Sequence, residues 1–135
     1  MVKLSHEQLA VIQQYVALLE TIEEGFAYVC ESFTNYERTQ GDVVLADIFM
    51  AFGQIDETNR SSLARFFADD RAVLEEIARF SAVADEAWKL DGKLHDTNAK
   101  QQVVENHLAP AFEAWNSHFA PSRQKSGGFF YLHVE

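Results

Sequence analysis

Ile12, Tyr15, Leu19, Ile22, Phe26, Val29, Phe33 and Tyr36 follow one another at spacings of 3, 4, 3, 4, 3, 4 and 3. A strand would place apolar residues at every second position, so this seam predicts one long amphipathic helix with a single face to bury. Ser5 and Gln8 stand in capping-box spacing before it, where each side chain can satisfy the other's backbone amide. The helix is expected to run to about Arg38 and to stop at Gly41 in the left-handed conformation. Gly25 interrupts the pattern; an interior glycine costs about 1 kcal/mol relative to alanine, which points to a close crossing by another helix in preference to a bend.

Asp42 then caps a second helix with the seam Leu45, Ile48, Phe52 and Ile55, continuing through Asn59, Ser62 and Phe66. Polar residues on the core face predict a distortion or polar layer around Thr58 to Ser62. Asp69-Asp70 is a natural start for a third helix, because carboxylates cap free amides and oppose the positive end of the helix dipole. Its expected core residues are Val73, Ile77, Phe80, Ala84, Ala87 and Trp88, and Asp91-Gly92 ends it. Asp96 or Thr97 caps a fourth helix carrying Val104, Leu108, Phe112, Trp115 and Phe119. Pro110 lacks a donor and crowds the preceding turn, so a kink is expected between Asn106 and Pro110.

The fold these elements imply is all-α, an up-and-down four-helix bundle, with a fifth helix if the second one breaks near Asn59. Val43-Val44-x-x-x-Ile48-x-x-Ala51-Phe52 is echoed in Val103-Val104-x-x-x-Leu108-x-x-Ala111-Phe112, and Leu19-Glu20-x-Ile22 in Leu74-Glu75-x-Ile77. Two duplicated α-hairpins would produce that echo, and so would shared core composition. Residues 1–121 form the helical domain in this reading, and 122–135 a C-terminal aromatic tail.

A chain of 135 residues can bury one core without staples. Hydrophobic residues make up 47% of it, while Gly and Pro together are rare, which disfavours disorder and turn-rich β folds. The formal charge of −10, without clustered Lys or Arg, argues against nucleic-acid binding and favours a basic partner surface. Cys30, the single cysteine, permits no intramolecular disulfide and is expected to be a buried thiol. Neither a signal-peptide pattern nor an apolar run of membrane-spanning length is present, so a cytoplasmic protein without membrane contact is expected.

Candidate chemistry is thin. The five histidines include no i,i+3 or i,i+4 pair, and His107 and His118 would lie about 16 Å apart along one helix, too far to share an ion. No Glu-x-x-His, H-E-x-x-H, G-x-S-x-G or phosphate loop occurs. No catalytic residue, metal or cofactor is therefore assigned. Glu23 flanks the apolar seam in the row Leu9, Val16, Glu23, Cys30. It is either an edge carboxylate reaching water or a partner cation, or a group facing a cleft, with Asn59 and Ser62 as candidate neighbours. Phe129, Phe130, Tyr131 and Leu132 are the candidate partner-binding residues. Burying such side chains is worth about 1.5 to 3 kcal/mol each, so they call for cover by their own bundle, a second protomer or a partner.

The segments Val44-Leu45-Ala46-Asp47-Ile48-Phe49-Met50-Ala51-Phe52 and Leu108-Ala109-Pro110-Ala111-Phe112-Glu113-Ala114-Trp115 resemble stretches in a family of small uncharacterised bacterial all-helical proteins. The similarity spans about residues 15 to 119 and implies a bacterial helical bundle without implying an activity. Three functional expectations follow. The first is a non-catalytic interaction bundle, adaptor or chaperone-like, that holds a protein partner or pairs as a homodimer. The others are an acidic immunity or antitoxin-type inhibitor of a basic protein, and a small-ligand-binding or enzymatic bundle with a pocket near Glu23.

Overall fold

In the computed structural model, which describes residues 3–117 and 133–134, the first seam becomes helix α1, His6–Ser32. Both arms of its capping box are made: the Gln8 amide donates to Ser5 Oγ at 3.1 Å, and the Ser5 amide to Gln8 Oε1 at 2.9 Å. Ile12, Tyr15, Leu19, Ile22, Phe26 and Val29 are all buried. The helix is shorter than the pattern predicts. It tightens into a 3-10 segment, Phe33–Arg38, in which Asn35 leaves helical geometry at φ −155° and ψ 58°. Phe33 and Tyr36 stack there at 4.8 Å, so the seam continues by ring packing after the α-helix has ended.

Gly41 does not close α1. It opens α2 (residues 41–66), with Gln40 at the N-cap and Asp42 in the first turn rather than at the cap. A Cβ on Gly41 would lie 2.3 Å from Tyr36 Cε1 and 2.7 Å from Ser32 Oγ, so glycine is required by close approach and not by a left-handed turn. The second helix does not break near Asn59. It runs as Gly41–Thr58, passes through a π-turn at Asn59–Leu63 and finishes as Ala64–Phe66. This is the distortion expected around Thr58 to Ser62, and buried Asn59 there accepts a 2.8 Å hydrogen bond from Tyr15 Oη.

Helix α3 (residues 71–90) comprises Arg71–Ala78, Phe80–Ala87 and a 3-10 turn at Trp88–Leu90. Asp70 caps it, accepting from the Val73 amide at 3.2 Å. Val73, Ile77, Phe80, Val83 and Leu90 are buried, whereas Ala84 and Ala87 are half-buried and Trp88 is 75% exposed. The expectation that Trp88 belongs to the core is thus overturned. Buried spacings of 4, 3, 3 and 7 rotate the core stripe around the helix, and Leu90 replaces Trp88 on the inner face. Gly92, at φ 75°, supplies the expected helix stop.

Helix α4 (residues 97–116) is capped by Asp96, which accepts from the Ala99 amide at 3.1 Å. In place of a sharp kink the backbone widens into a π-turn, Val104–Leu108, directly before Ala109–Asn116. Pro110 cannot donate to Asn106 and crowds that carbonyl, and the wider turn accommodates both effects. The two π-turns do not coincide under the internal echo, whose counterpart of Val104–Leu108 is ordinary helix at 44–48. The echo therefore describes core positions and not helix geometry.

The helices alternate in direction as two hairpins, α1 with α2 and α3 with α4, and each contributes a ring to one aromatic centre. Phe52 lies 6.0 Å from Phe26, 5.5 Å from Phe80 and 6.1 Å from Phe112, while Phe80 lies 4.8 Å from Trp115. Gly25 is where α2 crosses α1 closely, since a Cβ there would meet the Ile48 side chain at 3.1 Å. The helical bundle also carries a minimal ladder. Strand β1 (Lys3–Leu4) pairs in parallel with β2 (His133–Val134), Lys3 opposite His133 and Leu4 opposite Val134.

Candidate functional site

Among the described residues, two polar groupings and three hollows stand out. At one end of the bundle Lys100 is buried, and its Nζ donates to Asp42 Oδ1 at 2.6 Å while standing 4.7 Å from the centre of the Tyr36 ring. Tyr36 Oη donates to the same carboxylate oxygen at 2.5 Å. Lys100, and then Tyr36, hold the Asp42 carboxyl below its ordinary value of 3.8, and burial together with the Asp42 charge pushes the Tyr36 phenol up. The Lys100 stem is sealed in the protein while the Asp42 side chain remains 70% exposed. This is a clasp joining the end of α1 to the starts of α2 and α4.

Glu23 is exposed, and its Oε1 accepts from Nδ2 of buried Asn116 on α4. Asn59, its suggested neighbour, is paired instead with Tyr15, whose phenol burial pushes up. The structure does not bring Glu23 and Asn59 into one cleft. Cys30 is half-buried; burial, with Glu105 and Glu113 nearby, raises its thiol and leaves it a poor nucleophile. His107 Nδ1 comes within 4.0 Å of Glu86, which also holds Lys89 at 2.6 Å. No group of three His, Cys, Asp or Glu among the described residues could hold a metal ion. The candidate residues Phe129, Phe130, Tyr131 and Leu132 lie outside the described residues.

The most apolar hollow is a cleft of about 350 Å³ between α2 and the end of α3, with Phe49, Phe52, Ala84, Ala87, Leu90 and Leu94 among its walls and Trp88 at its lip. Trp88 is 75% and Leu94 52% exposed. Two further hollows, of about 280 and 320 Å³, lie in the outer groove between α1 and α2. Glu23 lines none of the three. Pattern reading misses this cleft because it assigns Trp88 to the core; the 3, 3 spacing of Ile77, Phe80 and Val83 is the signal that the stripe is rotating away from it.

The family model described as "Domain of unknown function (DUF8042)" matches residues 10–118, all four helices from the first turns of α1 to the end of α4. The chain belongs to this family. It is also similar to "Uncharacterized protein YvzG" of Bacillus subtilis (strain 168), with 27% identity over 111 residues, which cover 82% of this chain and 87% of that protein. No solved structure matches. The match supports the expected resemblance to an uncharacterised bacterial helical family. No helix among the described residues is long and apolar enough to cross a membrane.

Proposed function

We propose that this protein is a non-catalytic binding module that holds another polypeptide against its helical surface. One observation carries the reading: the cleft between α2 and α3 keeps Trp88 and Leu94 in water although the same chain buries a four-helix aromatic centre. A tryptophan beside an apolar slot is the kind of anchor that dominates protein interfaces, and leaving it exposed has no benefit to the isolated fold. The cleft is large enough for one or two apolar side chains of a partner.

A second reading, an acidic inhibitor that covers a basic protein, has charge distribution in its favour. Residues 4–59 hold ten acidic residues against a single basic one, Arg38, so α1, its connection to α2 and α2 as far as Asn59 carry −9 of the −10 total.

The test is capture from native cell extract on the immobilised full chain, with a Trp88→Ser, Leu94→Ser double variant in parallel. Polypeptides retained by the wild type and lost by the variant are the expected result. Equal retention by both, or none by either, overturns the role of the cleft.

A further inference from the structure

The outer groove between α1 and α2 has both the shape and the charge of a docking site, and we infer that it receives a basic amphipathic helix. This names a partner class and a second surface for the binding module proposed above, on which it rests. Thr21, Gly25 and Tyr28 of α1 stand across from Val44, Asp47 and Ala51 of α2 around the 280 Å³ hollow. One turn toward the start of α1, Gln14 and Leu18 stand across from Gln54 and Glu57 around the 320 Å³ hollow. Positions 14, 18, 21, 25 and 28 recur at helical spacing, so the two hollows lie in line along one groove, the channel between α1 and α2. From Val11 to Tyr28 it is about 26 Å long, the length of about 18 helical residues.

Gly25, having no side chain, lets Ile48 approach α1 closely, and buried Ile22, Ile48 and Ala51 line the base of the groove. The Tyr28 hydroxyl accepts from the Gln40 amide at 3.0 Å, which fixes the ring at one end of the channel. Glu24, Asp47 and Glu57 stand on the rims. No Lys or Arg occurs from residue 4 to 37 or from 39 to 59, so no cation on α1 or in the first four turns of α2 neutralises them. An apolar floor between carboxylate rims matches a helix with a small or apolar stripe flanked by Lys and Arg. A second copy of the chain would bring the carboxylate rims of one groove against those of another, which like-charge repulsion opposes.

The probe is a designed helix of about 18 residues with Ala and Leu on one face and Lys on the other, titrated against the full chain by fluorescence anisotropy. Saturable binding is expected, weakened at least about tenfold by Glu24→Lys with Asp47→Lys and by salt at about 0.5 M. Gln54→Trp, which fills the channel without altering charge, is expected to weaken it as well. Glu105→Lys with Glu113→Lys, an equal change of net charge on α4, should alter affinity less than about twofold. Circular dichroism confirms that each variant folds. Absence of binding, equal binding of a Lys→Glu version of the helix, or equal loss in the α4 control overturns the inference. So does sedimentation showing a dimer of the chain that the Glu24→Lys, Asp47→Lys variant abolishes. If Trp88→Ser with Leu94→Ser loses the helix while the groove variants keep it, the groove inference fails and the broader binding reading stands.

Discussion

The two hairpins are built alike and charged differently. Residues 4–59, covering α1 and most of α2, carry −9, whereas residues 60–117 hold ten acids against seven bases and lace several of them into local pairs such as Arg79 with Glu76 at 2.7 Å and Lys89 with Glu86 at 2.6 Å. The first hairpin relies on glycine at its tight contacts and carries an excess of acids with Arg38 as the one basic residue from 4 to 59. The second carries the proline-associated π-turn and balances its surface. Shared burial around Phe52 and Phe112 stabilises both, so core and surface answer to separate demands: the core has no need of the acidic excess, which a partner could use.

The largest effect should come from removing the junction. Phe112 touches Phe26 at 5.6 Å and Phe52 at 6.1 Å, both in the other hairpin. Phe112→Ala is expected to cost about 3–5 kcal/mol in denaturant unfolding; a loss under about 1 kcal/mol would mean that the hairpins do not share a core.

Next come the glycines. Gly41→Ala drives a Cβ into Tyr36 and Ser32 and should cost about 1–3 kcal/mol, whereas Gly53→Ala, with nothing within 4 Å, should stabilise α2 by up to about 1 kcal/mol. Thermal melts giving both substitutions the same sign would refute the close-approach reading of Gly41.

The clasp between the hairpins predicts a pH signature. Asp42 is held below its ordinary value in the folded protein, so its contribution is present above 3.8 and is lost as pH falls through the lower folded value. The stability gap between wild type and Asp42→Asn should be constant near neutrality and close in strong acid. Because the Asp42 side chain is 70% exposed, the gap should stay within about 1 kcal/mol. A gap that widens on acidification contradicts the clasp.

The smallest effect sharpens the charge contrast directly. Glu31 and Glu113 both lie near helix C-termini, where lysine interacts favourably with the dipole. Glu31→Lys should therefore gain a few tenths of a kcal/mol more than Glu113→Lys, since only the first also relieves the −9 field. Equal gains at low salt would erase the distinction between the hairpins.

The four helices, the capping roles of Ser5, Asp70 and Asp96, and the two distorted turns were legible as periodicity and punctuation, because those signals act within a turn or two of the chain. Trp88 misled because its place depends on cumulative rotation along α3. Gly41 misled because its requirement comes from Tyr36 folding back across it. Lys100 carried no local mark of burial; its partners Tyr36 and Asp42 lie some sixty residues away. The absence of Lys and Arg before residue 60, Arg38 and the extreme N-terminus apart, was visible. Its meaning required the antiparallel register that sets Glu24 beside Asp47 along one channel.

The parallel pairing of Leu4 with Val134 has a consequence for biosynthesis. Leu4 leaves the ribosome well before its strand partner, which is translated some 130 positions later. The four helices can collapse during translation, but this final stitch is sewn only after residue 134 clears the exit tunnel.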